Sequence, residues 1–286
     1  MADPFSIAAG VVGILAPALQ GIQKLVVEIR NIKDAPETLQ ILKKDLELVD
    51  LALRSVKEID ESQWEFLGEA IANHAKVTIE SCSNACTVLG DKLARWTRRS
   101  PSGKLSWMDR GNIALLKQHQ IQSISEQLRN CQTTITSMVS TATLCSSIRN
   151  TQMTQAIKGT LSKRHEEIST SITTTEQQVN EAQTRLRGLE LTASSAPFQA
   201  DPDQEQEPSE TLQQIREETK ALDASHQLLM DLLVKTDNIM AENQKKLRER
   251  RNEVTVTFGP NYGGFQMGTN EGTIGNIQFG SNMTRQ

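Results

Sequence analysis

Aromatic side chains are scarce in this chain, with six Phe, three Trp and one Tyr among 286 residues, or 3%. Sandwich and barrel cores draw on aromatic and β-branched residues, so a large all-β fold is all but excluded and an aliphatic helical core is expected. An excess of one charge sign is also missing. The 31 basic and 35 acidic residues leave a formal charge of -4 and a pI near 5.7, which provides no global positive field and argues against a nucleic-acid partner. Four Cys are too few for a disulfide framework, and Cys82-x3-Cys86 has no Cys or His neighbours at zinc-site spacing. Ordinary core thiols in a reducing cytosol are expected, with no metal and no cofactor. Catalytic signatures are absent too: there is no Gly-x-Ser-x-Gly, no His-Glu-x-x-His and no P-loop, and His74, His119, His165 and His226 are scattered on helical patterns. An enzyme is not expected.

Helical periodicity dominates what is present. From Pro4 to Gln23 the sequence carries no charge, and its apolar pattern continues through Leu25, Val26 and Ile29 instead of ending at a cleavage site, which speaks against a signal peptide. A helix capped by Asp3 with Pro4 in its first turn is expected. Asp34-Ala-Pro-Glu37 reads as a capping box opening a second helix, whose Leu39, Leu42, Leu46, Val49 and Leu53 recur at threes and fours. A third helix is expected from about Trp64 to Trp96, followed by a loop from Thr97 to Lys104. The stripe Ile121, Ile124, Leu128, Cys131, Ile135, Met138, Ala142, Cys145 alternates strictly by three and four and predicts a long helix. Weaker stripes run through Ile157, Leu161, Ile168, Ile172, Val179, Leu186 and Leu189, and through Leu212, Ile215, Leu222, Leu229, Leu233, Met240 and Leu247. Between them, 193–208 holds four acids and three prolines and reads as a flexible acidic connection. The expected fold is all-α: an N-terminal helical bundle plus a long antiparallel hairpin, whose Gln, Thr and Ser content suggests a marginal seam.

After Arg251 the pattern changes. Val254-Thr-Val-Thr-Phe258 alternates with period two, and beyond it only Glu271 and Arg285 are charged. Three short modules follow: Phe258-Gly-Pro-Asn261, Met267-Gly-Thr-Asn270 and Phe279-Gly-Ser-Asn282. The last two extend backwards as Phe265-Gln266-Met267-Gly268-Thr-Asn270 and Ile277-Gln278-Phe279-Gly280-Ser-Asn282, with Gly263, Gly272 and Ile274 between or beside them. Apolar residues flanking Gln make a short strand, Gly permits a turn and Asn tolerates positive φ. Stacked in register at about 4.8 Å, such segments would form Gln and Asn amide ladders with dry contacts between Phe265, Met267, Ile277 and Phe279. Composition alone would equally fit a disordered low-complexity tail; the repeated order Φ-Gln-Φ-Gly-x-Asn, Φ being apolar, is what favours the zipper.

This tail resembles the pseudopalindromic amyloid signalling motif of filamentous fungi, itself similar to the homotypic interaction motif of animal necroptosis kinases. Phe265-Gln266-Met267-Gly268 and Asn270 match its core, with Asn261, Tyr262, Gly263 and Gly272 around it. The opening Ala2-Asp-Pro-Phe-Ser-Ile-Ala-Ala-Gly-Val-Val-Gly-Ile14 is similar to that of fungal HeLo-like domains. The resemblance implies a HeLo-like bundle with a membrane-active first helix over 1–191, an acidic linker over 192–208, a long packing helix over 209–251 and a disordered tail over 252–286 that becomes cross-β on assembly. It also implies an executor of regulated fungal cell death, cytoplasmic at rest and at the plasma membrane when active. The implied partners are copies of itself, a STAND or NOD-like receptor or a lipase carrying a similar motif, and plasma-membrane lipids. The alternative is a non-lytic helical adaptor assembled through the tail.

For membrane insertion the candidate residues are Phe5, Ala9, Gly13, Leu15, Pro17, Leu19 and Gly21. Twenty uncharged residues, Pro4 to Gln23, reach about 30 Å as a helix, one hydrocarbon thickness. Ala9, Gly13, Pro17 and Gly21 fall every four residues, a small-residue stripe that lets helices approach closely in lipid. Burial inside a soluble bundle is the expected resting arrangement. The basic run from Lys245 to Arg251 suits either attraction to anionic lipid or a solvated helix C-terminus.

A peptide spanning 252–286 is predicted to assemble into fibrils with a meridional reflection near 4.7–4.8 Å. X-ray fibre diffraction checks this, and a peptide that stays soluble at high concentration in the presence of seeds would overturn it.

Overall fold

The computed structural model describes residues 4–32, 35–97, 118–150, 155–195 and 206–252. Among them the chain forms seven helices and no strand: α1 (Pro4–Asn31), α2 (Glu37–Val56), α3 (Glu61–Leu67), α4 (Glu69–Trp96), α5 (Gln118–Asn150), α6 (Gln155–Ser195) and α7 (Gln206–Asn252). The fold is all-α. The tail and its proposed cross-β core lie outside the described residues, as do Asp3 and 98–104.

Each helix follows from its apolar spacing. In α2, Leu39, Leu42, Leu46, Val49, Leu53 and Val56 occupy one buried face, the 3.6-residue stripe of an amphipathic helix. Its start differs from the expectation. The first helical residue is Glu37 and the N-cap is Pro36, which makes no side-chain cap bond, so Glu37 stands first in the helix and not third as the expected capping box required, and Asp34 lies outside the described residues. Pro36 sits at φ -54, ψ 153, and the helix opens through its carbonyl, which accepts from the amides of Leu39 and Gln40. The capping box is found instead at α3, where the Asp60 carboxylate accepts from the Gln63 amide at 2.8 Å and the Gln63 side chain accepts from the Asp60 amide at 2.8 Å.

The expected third helix is two helices. Gly68, at φ 90 and ψ 167, ends α3 and starts α4, a region of backbone space open essentially to glycine alone. Its amide donates to the Trp64 carbonyl and its own carbonyl accepts from Ala72, so the break leaves the flanking helix ends partly satisfied.

Met1–Asn238 form one compact unit. In it α1 packs on α4, α2 and α3, and α5 packs on α2, α3, α4 and α6. The entire α5 stripe from Ile121 to Cys145 is buried as its spacing predicts. The α6 and α7 stripes differ from those read in the sequence. In α6 the fully buried positions are Leu161, Ile168, Thr175 and Ala182, one per heptad, while Ile157, Ile172, Val179, Leu186 and Leu189 are half-buried. In α7 the buried seam runs Ile215, Glu218, Leu222, Ser225, Leu229, Leu232, Thr236. Hydroxyl and carboxylate groups therefore take core positions in both helices. Helix also extends into the expected linker: α6 reaches Ser195 and α7 opens at Gln206. The ion pairs Glu190–Arg216 at 2.9 Å and Arg185–Glu218 at 2.6 Å and the His165–Asp237 contact at 3.0 Å run in opposite chain directions along α6 and α7, which makes the pair an antiparallel hairpin. From Ile239 the chain belongs to a second unit. Its described part is the end of α7, where the hydrogen bond from Lys246 at 2.7 Å lowers the pKa of Glu242.

Gly68→Ala is predicted to destabilise the bundle by about 1–3 kcal/mol. No atom lies within 4 Å of a Cβ built at this position, so the cost is conformational and not steric. A urea titration followed by circular dichroism measures it, and an unchanged midpoint would refute it.

Candidate functional site

The candidate site is α1 and its seat in the bundle. Val11, Leu15, Ala18, Leu19, Ile22, Leu25, Val26 and Ile29 point inward, all at 8% exposure or less. Ala9, Gly13 and Pro17 are exposed and Gly21 is half-buried. The six candidate insertion residues from Ala9 to Gly21 thus fall on two faces: Leu15 and Leu19 belong to the core, while Ala9, Gly13 and Pro17 line the outer side with Gly21 at its edge. Phe5 lies in the first turn of α1. Pro17 stands inside the helix, has no amide to give the Gly13 carbonyl, and sits with Gly13 on the exposed side, where water can satisfy the freed acceptor. From Ala9 to Asn31 this is the one helix among the described residues apolar and long enough to cross a membrane, with a mean hydropathy of 1.5. Core helices of soluble proteins meet the same criterion.

The contacts that seat α1 are of one kind. Its polar ties to other helices among the described residues are Gln23 to Asp50 at 3.1 Å and Arg30 to Glu47 at 3.6 Å, both exposed. Every buried side chain described on α1, from Val11 to Ile29, is aliphatic. Moving this face into water would cost on the order of 10 kcal/mol, taking about 1.5–3 kcal/mol per large aliphatic side chain. Moving it into an apolar phase removes most of that cost, since hydrocarbon solvates aliphatic groups as the core does.

The other helices are tied differently. Asp45 of α2 is buried and accepts from Ser125 Oγ and, at 3.0 Å, from Arg129 Nε of α5. The same hydrogen bond raises the pKa of Arg129 above its ordinary value. Glu218 of α7, equally buried, accepts from Ser123 Oγ of α5 at 2.7 Å and from Arg185 Nη2 of α6 at 2.6 Å. Asn130 of α5 donates to Gln178 of α6 at 2.9 Å, Lys92 of α4 donates to Gln214 of α7, and His74 of α4 lies 2.8 Å from Asp231 of α7. Burying a carboxylate is costly unless it is paired and hydrogen-bonded, so α2, α5, α6 and α7 are bound by interactions that lipid cannot replace. Sequence reading missed this network. Its signal was available, because Asp45 and Glu218 interrupt apolar stripes at core positions.

The scattered histidines include two that join helix pairs, His74–Asp231 and His165–Asp237. Among the described residues no cluster of three or more His, Cys, Asp or Glu could hold a metal. Lys245, Lys246 and Arg248 of the basic run are exposed on the end of α7. The amyloid-core candidates Asn261, Gly263, Phe265, Gln266, Met267, Gly268, Asn270, Gly272, Ile274, Ile277, Gln278, Phe279, Gly280 and Asn282 lie outside the described residues.

Fold and site together define an all-helical bundle whose apolar N-terminal helix is seated mainly through buried aliphatic contacts. The chain belongs to the family described as pigment biosynthesis cluster protein PigL N-terminal, whose model matches residues 2–228. That family is linked to the HeLo-like domains of fungi. Comparisons with curated proteins and with solved structures give no match.

Two substitutions on α1 are predicted to act in opposite ways on stability. Leu15→Ala should cost about 2–5 kcal/mol as a buried truncation. Gly13→Leu should be neutral or stabilising by up to about 1 kcal/mol, since helix propensity rises and nothing lies within 4 Å of the added Cβ. Chemical unfolding of both variants checks this; a Gly13→Leu protein that fails to fold would place that face in a contact it does not make here.

Proposed function

We propose that this protein executes regulated cell death by disrupting the plasma membrane. The tail is templated into cross-β fibrils by a matching motif on a receptor of the STAND or NOD-like class or on a lipase, and the fibril concentrates helical domains beside the membrane. High local concentration favours oligomer formation without any new contact. Helix α1 then leaves its seat and enters lipid, and the protein passes from cytoplasm to plasma membrane.

One observation carries this reading. Among the described residues, α1 is tied to the rest of the bundle by aliphatic burial and two exposed polar contacts, so a hydrocarbon phase can take over its interactions and leave no buried polar group behind. Two further features support it. The family is linked to HeLo-like domains, and the tail repeats Φ-Gln-Φ-Gly-x-Asn in an order that composition does not produce. The outward position of Ala9, Gly13 and Pro17 suits close helix–helix approach in lipid and explains why small residues occupy a face that fills no core space. The basic end of α7 adds about 1 kcal/mol per residue of attraction to an anionic surface.

Fibril-seeded full-length protein is predicted to release dye from liposomes containing anionic lipid. Gly13→Leu, or deletion of residues 1–23, should abolish release while leaving fibril formation intact. Release that survives both changes would point to another membrane element, and no release from the wild-type protein would leave the non-lytic scaffold as the better reading.

A further inference from the structure

All four cysteines are free and buried, and two of them, Cys82 and Cys131, border one cavity. Cys82 and Cys86 lie one turn apart on α4, and Cys131 approaches from α5. Cys82 and Cys131 line the same small cavity, and Cys131 Sγ lies 3.9 Å from the carbonyl of Thr78, one turn before Cys82 on α4. Beside the sulfurs is a small cavity of about 10 Å³, bordered by Thr78, Cys82, Asn130, Cys131, Leu222 and Ser225. That volume is at the lower bound for one water, and it gives the two side chains room to rotate toward each other.

We propose that Cys82 and Cys131 are a redox latch: oxidised by a peroxide, they close into a disulfide that fastens α4, the helix on which α1 is seated, to α5. One sulfur attacks a peroxide oxygen, the O–O bond breaks, and water leaves a sulfenic acid. The second sulfur attacks that sulfenic sulfur, the S–O bond breaks and a second water leaves. Two thiols and one hydrogen peroxide thus give one disulfide and two waters, with the two electrons passing from sulfur to oxygen. Cys82 and Cys131 are 1% and 3% exposed, so the peroxide reaches them only when α4 and α5 part locally. The neighbouring Cys131 thiol, and then burial, hold the Cys82 pKa well above the ordinary thiol value, which suppresses the reactive thiolate while the bundle is closed. The latch is therefore inert in the packed state and closes on a bundle that has begun to open. Within α4, Cys82 and Cys86 share one helix, so a bond between them would tie no second element.

The test uses the full-length protein, exposed to hydrogen peroxide and digested with trypsin without reduction. The expected product joins peptide 77–92 to peptide 130–149, with fragmentation placing the bond at Cys82 and Cys131. It should vanish in Cys82→Ala and persist in Cys86→Ala. A bond confined to Cys82 and Cys86, bonds only between chains, or sulfinic acid without any disulfide would overturn the proposal. Should Cys82→Ala fail to fold, the wild-type map and the urea midpoint still decide. The oxidised protein should unfold at a higher urea concentration than the reduced one, with the difference removed by dithiothreitol, and equal midpoints would refute the latch. None of these readouts involves a membrane, so they stand or fall separately from the proposed function.

Discussion

Burial of the aliphatic face of α1 is the constraint around which the bundle is arranged. A chain with only ten aromatic residues in 286 must fill its core with Leu, Ile, Val and Ala, and such a core closes only when helix faces cover one another completely. The inward residues of α1, from Val11 to Ile29, are joined in one cluster with those of α2, α3, α4 and α5. Helices α2, α3 and α4 therefore share a seat whose shape suits one partner, and the N-terminal helix is that partner.

Two kinds of cohesion meet in this molecule. Aliphatic burial is non-directional and scales with area, so any apolar surroundings can substitute for it. The carboxylate centres at Asp45 and Glu218 are directional, and each needs a serine hydroxyl and an arginine in fixed positions. α5 supplies both serines, Ser123 and Ser125, two residues apart and reaching to α7 and α2. Polar contacts thus link α5 to α2, α6 and α7, while those of α1 are two exposed contacts to α2.

How much of this could be read beforehand depended on the physics involved. Strict alternation by three and four in α5 announced its buried stripe, because each apolar residue of that set serves the core and none serves anything else. The same logic weakened in α6 and α7, where Thr175, Ser225, Thr236 and Glu218 hold core positions and an apolar template misplaces the seam. Asp34 and Glu37 have the spacing of a capping box, but Pro36 is the cap of α2 and Glu37 its first residue, not its third. The break at Gly68 was hidden because one glycine in a helical pattern is ordinary, and only its φ of 90 identifies it as a hinge between two helices. In α1 the stripe of small residues was legible, but its outward direction was not, because Leu15 and Leu19 could have faced either way until the seat was known.

The same division explains why a first helix could leave without dissolving the rest. A group buried and hydrogen-bonded across an interface resists separation, since both partners must be rehydrated or left unsatisfied. Removing α1 exposes apolar surface on α4, α2 and α3 but, among the described residues, breaks no buried hydrogen bond, whereas removing α5 would take both partners from Asp45 and one from Glu218, and moving α7 away would part Glu218 from Ser123 and Arg185. The bundle is therefore graded. The interface most easily exchanged for hydrocarbon belongs to the element nearest the N-terminus, and the interfaces that demand exact polar partners are kept among helices that have no reason to move.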